Sequence, residues 1–174
     1  MNALRIGVLT VSDSSFRGER EDAGGPAIVE WAKRVGWTVE RRALVPDGTR
    51  EAGRVLRAWC DSDRLDAVLT TGGTGLGPRD RTPEATKAVL ELEVPGVVEA
   101  LRAEGRRHTP YADLSRALCG VRGKTFILNL PGSPRALTES FPLLETLIPH
   151  ALKMMAGGCH PPKPAAAARG GKRR

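Results

Sequence analysis

Aromatic residues are scarce in this chain: 4 % of 174 residues, with a single tyrosine. A core built from it must rely on Val, Leu, Ile and Ala. Cysteine is equally sparse. Cys60, Cys119 and Cys159 are odd in number and widely spaced, with no C-x-x-C pair. That excludes a disulfide framework and a structural zinc site, and it points to a reducing compartment. His108, His150 and His160 form no ligand set, since only Cys159 and His160 are adjacent. No apolar run approaches the roughly 20 residues that span a bilayer. The N-terminus has no cationic start followed by an apolar stretch, so no signal peptide is expected. The reading is a soluble protein of the cytoplasm. An excess of positive charge is present, a net +7, but five of the 27 basic residues (Lys163, Arg169, Lys172, Arg173, Arg174) lie in the last 18 positions. Without them, 22 basic residues face 20 acidic ones. The body is near neutral, which argues against a basic groove for nucleic acid; any such affinity would sit in the tail.

What is present is a 40 % hydrophobic content, enough for one folded domain. Leu4 to Val11 reads as a buried strand, followed by a polar loop over residues 12–25 that carries Asp13, Arg17, Glu19, Arg20, Glu21 and Asp22. Ile28, Trp31, Ala32 and Val35 share a helical face that Gly36 would terminate. Trp37, Val39, Arg41, Ala43 and Val45 alternate as one face of a half-exposed strand ending at Pro46-Asp47-Gly48. A second helix carries a complete apolar stripe at Ala52, Val55, Leu56, Trp59 and Cys60. Residues 66–71 read as a strand opening into glycines. A third helix is expected with Thr82 as N-cap and Pro83 at N1, and a fourth from Pro95 toward Arg106-Arg107-His108. Thr125 to Leu130 is the last strong strand. The final helix starts at Pro134 and is interrupted or kinked by Pro142 and Pro149. Alternating strands and helices predict an α/β fold with a mainly parallel sheet, over residues 1–156. Residues 157–174 lack apolar periodicity and read as a disordered basic tail.

In open α/β sheets ligands bind where strands end. Four strand exits are loaded with polar and glycine residues: Ser12 to Ser15, Pro46 to Gly48, Thr70 to Asp80 and Asn129 to Pro134. In Thr71-Gly72-Gly73-Thr74-Gly75-Leu76-Gly77-Pro78-Arg79-Asp80, close-set glycines let backbone N–H groups approach an anion. Pro78 and Arg79 stand where a P-loop needs Lys and Ser/Thr, and Pro78 replaces the third glycine of a dinucleotide fingerprint. Arg79 could pair with phosphate and Asp80 could hold Mg²⁺. A plain turn with an Arg–Asp pair on its rim is the alternative. Asp47 alone is what a Pro-Asp-Gly turn would contain. Asp13 suits either a cap or a site. Asn129 to Pro134 could present backbone to a flat ligand, or simply start a helix with Ser133 as N-cap. The basic stretch Arg122-Gly123-Lys124 could bind phosphate or solubilise a loop.

These segments together, in order, resemble the molybdopterin-binding domain family of molybdenum cofactor biosynthesis proteins B and molybdopterin adenylyltransferases. The resemblance rests on Thr71-Gly72-Gly73-Thr74-Gly75, Arg79-Asp80-x-Thr82-Pro83-Glu84-Ala85, Leu114-Ser115-Arg116, Gly120-x-Arg122 and Leu128-Asn129-Leu130-Pro131-Gly132-Ser133-Pro134. Arg5 to Val8, Val11-Ser12-Asp13 and Val45-Pro46-Asp47 fit too. It implies a three-layer α/β/α sandwich that assembles as a trimer or a hexamer. It also implies transfer of AMP from ATP to the terminal phosphate of molybdopterin, alongside other molybdenum cofactor biosynthesis proteins. A molybdopterin-binding scaffold without that activity is the alternative. By motif matching, Asp47 and Asp80 would be catalytic and hold Mg²⁺. Thr71, Gly72, Gly73, Thr74, Gly75, Ser115, Asn129, Pro131 and Gly132 would contact molybdopterin, with Arg79 or Arg116 adding charge. Ser12 and Asp13 would lie on the nucleotide side of the same cleft. No membrane partner is implied.

Overall fold

The computed structural model describes residues 3–62 and 64–158. The basic tail falls outside these from Cys159 onward. Six strands form one sheet: β1 (Arg5–Val11), β2 (Thr38–Val45), β3 (Ala67–Thr71), β4 (Leu92–Glu93), β5 (Cys119–Arg122) and β6 (Thr125–Leu130), in the order β2-β1-β3-β6-β5-β4. β2, β1, β3 and β6 run parallel, while β5 and β4 add an antiparallel edge. The helices are α1 (Asp13–Phe16), α2 (Gly24–Arg34), α3 (Thr49–Cys60), α4 (Thr82–Lys87), α5 (Pro95–Arg106) and α6 (Pro134–Met155), with a 3-10 helix at Pro110–Leu114.

The central strands are buried on both faces, so their apolar residues split into two cores. Ile6, Val8, Ala67, Leu69, Phe126 and Leu128 pack against α2, α5 and α6. Leu9, Val11, Val68 and Ile127 pack against α3 and the α4 region. The result is the three-layer α/β/α sandwich. Among the described residues, no helix is long and apolar enough to cross a membrane.

Several local expectations change. The polar loop after β1 folds at both ends: Ser12 caps the short α1, its Oγ accepting from Ser15 N at 3.3 Å, and α2 begins at Gly24. The single apolar face read for β2 is divided by a bulge between the pairs Ile6–Val39 and Gly7–Arg41. One extra residue reverses the side-chain alternation, so Val39 packs on the α2 side and Ala43 and Val45 on the α3 side. Arg81, not Thr82, holds the N-cap position of α4, because Thr82 Oγ1 instead donates to Gly72 O. Ser133 does precede α6, yet its hydroxyl makes no capping bond. The stretch around Arg122 is a hairpin of β5 and β6, and Arg122 is engaged by Asp61. α6 runs unbroken through Pro142 and Pro149. Its buried stripe of Leu137, Phe141, Leu144 and Ile148 outweighs the missing helix bonds. The helix closes with Gly157 at φ 81°, and the Gly157 and Gly158 amides donate back to Met154 O and Lys153 O.

Candidate active site

From β1 the chain crosses to β2 on one side and then to β3 on the other, so the β1–β3 boundary is a topological switch point. A crevice is expected beyond the carboxyl ends of these two strands. The glycine loop leaves β3 there. Its Gly72 and Gly73 have φ of 93° and 62°, which side chains with a Cβ rarely adopt. A Cβ on Gly72 would lie 2.2 Å from Val11 O.

The loop is held by its carbonyls. Gly72 O accepts from Thr82 Oγ1 at 2.9 Å and Gly73 O from Thr82 N at 3.1 Å. Thr74 O accepts from Arg116 N at 3.0 Å, and Gly75 O from Arg116 Nε at 2.8 Å. Among the described residues the amides of Gly73, Thr74 and Gly75 have no hydrogen-bond partner. Carbonyls turned into the protein leave donors turned out, which is the electrostatic form of an anion cradle. Thr71 Oγ1 donates to Pro131 O at 2.7 Å and joins this loop to the β6 exit.

Two cavities flank the cradle. A polar one of about 410 Å³ is lined by Ser12, Arg20, Asp22, Asp47, Asp80 and the Thr71-to-Gly73 backbone, among others. A mostly apolar one of about 310 Å³ is lined by Val98, Leu101, Tyr111, Leu114, Ser115 and Asn129, with Thr74, Gly75 and Pro131 on the loop side. Gly132 and Ser133, at the start of α6, line both. Each cavity is the size of a small-molecule subsite.

Both expected acidic residues, Asp47 and Asp80, therefore lie on the polar cavity. Asp47 Oδ2 accepts from Asp13 N at 2.7 Å, and Asp80 Oδ2 accepts from Gly77 N at 2.8 Å. The other oxygen of each carboxylate has no hydrogen bond to the described residues. Burial, more than any other cause, pushes the Asp47 carboxyl above the usual range, and the negative charges of Asp13 and Asp80 push the same way. Among the described residues no group of three or more Asp, Glu, His or Cys side chains could hold a metal alone. Two carboxylates with free oxygens beside an anion cradle suit Mg²⁺, which keeps waters and shares its shell with substrate phosphates.

The other expected site residues hold the cradle together. Arg79 is a fork: it pairs with both oxygens of Asp13 and donates to Asp47 O at 2.7 Å. The Arg79 guanidinium holds the Asp13 carboxyl below its usual range. Arg116 donates to Gly75 O, Asp80 O and Glu84 Oε1, bridging the two ends of the glycine loop. Asp13, Arg79 and Arg116 line neither cavity. Asn129 is buried; its amide donates to Thr70 Oγ1 at 3.0 Å and Thr86 Oγ1 at 2.8 Å and accepts from Leu118 N at 3.1 Å. It shapes the floor of the apolar cavity with no donor to spare. Sequence reasoning missed Asp22 as part of the site. Asp22 joins Thr10 Oγ1 at 2.9 Å, Gly25 N at 2.9 Å and Arg42 at 3.1 Å, fixing the start of α2 to β1 and β2 beside the cavity. The one available signal was an acidic residue two positions before a Gly-Gly helix start.

Comparison with known proteins gives a consistent answer. A family model described as "Probable molybdopterin binding domain" matches residues 7–150. The chain is 41 % identical over 159 residues to the fruit-fly (Drosophila melanogaster) molybdenum cofactor synthesis protein cinnamon; the match covers 89 % of this chain but spans only about a quarter (26 %) of that longer protein. It is 36 % identical over 159 residues to the molybdopterin adenylyltransferase of Helicobacter pylori strain J99, covering 90 % of each. The crystal structure of the molybdopterin biosynthesis enzyme MoaB from Thermus thermophilus superposes with a TM-score of 0.82 at 51 % identity, covering 88 % of this chain and 97 % of that one.

Proposed function

The chain belongs to the molybdopterin-binding domain family, and we propose from that premise that it is a molybdopterin adenylyltransferase of molybdenum cofactor biosynthesis. The terminal phosphate of molybdopterin attacks the α-phosphorus of ATP, an O–P bond forms, the bond to the β-phosphate breaks and pyrophosphate leaves. One observation carries this reading: a polar cavity lined by Asp47 and Asp80 among its carboxylates and an apolar cavity suited to a flat heterocycle meet at Gly132 and Ser133, beside glycine-loop amides that have no partner among the described residues.

The reaction brings two anions together, so alignment and charge stabilisation are the tasks. The Val98, Leu101 and Tyr111 side of the apolar cavity would take the pterin, with Ser115 as a polar contact. The amides of Gly73, Thr74 and Gly75 would then orient the attacking phosphate. Ser12 would meet the nucleotide in the polar cavity, and Asp13 acts there only through Asp47 and Arg79. Asp47 and Asp80 would hold Mg²⁺, which when bound supplies positive charge to the phosphate oxygens. Asp47 must be ionised to do so. No protein nucleophile is needed.

The reading extends to a domain ending near residue 156, a homotrimer or hexamer acting with other molybdenum cofactor biosynthesis proteins, and a cytoplasmic setting. The buried free thiols Cys60 and Cys119 agree with a reducing compartment. A coupled assay of pyrophosphate release tests the reaction. Release that requires both molybdopterin and Mg-ATP supports it. Tight molybdopterin binding without release would contradict it and favour a scaffold.

A further inference from the structure

The glycine loop's basic residues are already spent. Arg79 is held by Asp13 and Arg116 by Glu84, and neither lines a cavity. The polar cavity is lined by Glu21, Asp22, Asp47 and Asp80, and by one basic residue, Arg20. Among the described residues, the Arg20 guanidinium has no hydrogen bond and no ion pair, although its neighbours are paired: Arg17 with Glu19 and Arg42 with Asp22.

The position of Arg20 is built, since the chain reverses at Gly18 and the amides of Glu19 and Arg20 both donate to Ser14 O, at 2.9 and 3.3 Å. The bidentate Arg17–Glu19 pair braces the same turn. Arg20 thus lines the polar cavity together with Asp22, Gly24, Gly72 and Gly73.

We infer that Arg20 binds the β- and γ-phosphates of the nucleotide and so holds the pyrophosphate leaving group. The inference rests on the adenylyltransferase reading and adds to it the cation for the distal phosphates. A planar guanidinium with all its donors free suits bidentate phosphate binding. A triphosphate entering a cavity lined by four carboxylates and one cation must find its positive charge in Mg²⁺ and in that cation.

The test uses the full chain with Arg20→Ala, Arg20→Lys and, as a control for general surface charge, Arg64→Ala at an exposed arginine ahead of β3 that lines neither cavity. Steady-state rates are measured against ATP and against molybdopterin, with inhibition by inorganic pyrophosphate and by AMP. Arg20→Ala should raise the KM for ATP roughly tenfold and weaken pyrophosphate inhibition in parallel. The KM for molybdopterin and inhibition by AMP should change less than about twofold. Arg20→Lys should recover part of the loss, and Arg64→Ala should match the wild type. Unchanged ATP and pyrophosphate values in Arg20→Ala, or an equal effect of Arg64→Ala, would overturn the inference and leave the adenylyltransferase reading standing. A wild type that forms no adenylylated product, and shows no heat of binding with pyrophosphate, would overturn both.

Discussion

Asp13 and Asp47 hold each other across two neighbouring strand exits: Asp13 N donates to Asp47 Oδ2 at 2.7 Å, and Asp47 N donates to Asp13 Oδ1 at 3.1 Å. The exchange fixes the end of β1 to the end of β2. It also spends one oxygen of Asp47 on orientation and leaves Oδ1 for the cavity. Arg79 closes the arrangement from the glycine loop by gripping Asp13 and the Asp47 carbonyl. Three chain segments far apart in sequence therefore place one carboxylate.

Asp13→Ala and Arg79→Ala should each lower kcat by roughly tenfold or more through misplacement of Asp47. Because the two act as a unit, the double variant should be no worse than the worse single one. Additive losses in a double-mutant cycle would show that Asp13 and Arg79 act independently.

The Asp47 carboxyl is raised, first by burial, so the folded protein holds that proton more tightly than the unfolded chain. As pH rises from the ordinary carboxylate range through the raised value, this group removes stability, and above it the cost is constant. Asp47→Asn should therefore be more stable than the wild type near neutral pH, with the gap closing toward acid, while activity is lost. Urea melts at a series of pH values would show the converging curves. Glu84 works in the opposite sense. The Arg116 hydrogen bond lowers its pKa, so its contribution is present above the ordinary glutamate range and is lost as pH falls through the lowered value.

Arg116→Ala removes the donor to Gly75 O, Asp80 O and Glu84 at once. Stability should fall by about 1–3 kcal/mol, since part-buried acceptors are left unmatched. Activity should fall further than stability explains, because Asp80 is freed. Arg116→Lys should not restore it, as an ammonium cannot reach three acceptors in fork geometry. Chemical denaturation and kcat measured together check the pair of effects.

Much of this site is written locally. Gly72 and Gly73 announce a positive-φ loop, Pro46 and Gly48 bracket Asp47, and the stripe from Ala52 to Cys60 is an ordinary helix face. The mainly parallel sheet follows from alternation of such segments. What is not written locally is pairing across the fold. Nothing near Arg79 says that its partner lies 66 residues away at Asp13, and nothing near Arg116 says that it closes a loop 41 residues earlier. Both therefore read as free cations, whereas in the fold each is paired. The β2 bulge is invisible for a related reason: a register shift depends on the neighbouring strand. Asn129 reads as a ligand contact by motif matching, and in the fold its side-chain amide is engaged by Thr70, Thr86 and Leu118.

The glycines nearest Asp80 give a separate prediction. A Cβ on Gly77 would lie 2.7 Å from Asp80 Oδ2, and the Gly77 amide donates to the same oxygen. Gly77→Ala should leave the fold intact but shift Asp80, raising the Mg²⁺ concentration needed for half-maximal rate about tenfold or more. A metal titration of the rate would read this, and an unchanged midpoint would place Asp80 outside the metal site.

Cys60 and Cys119 are buried thiols with pKa values pushed up to about 12 by desolvation. Iodoacetamide treatment of the native protein, read by peptide mapping, should leave both unmodified. Rapid labelling of either would show that the sheet core opens more readily than its packing implies.

The most direct test of the account is a single-turnover reaction with bound molybdopterin and Mg-ATP, quenched and read by mass spectrometry for adenylylated molybdopterin. Wild type should yield one product per pyrophosphate released. Asp80→Asn should bind molybdopterin with an unchanged Kd yet form product at least roughly a hundredfold more slowly, the loss of about 3 kcal/mol of charge stabilisation. Wild-type rates from Asp80→Asn, or no adenylylated product from the wild type, would contradict it.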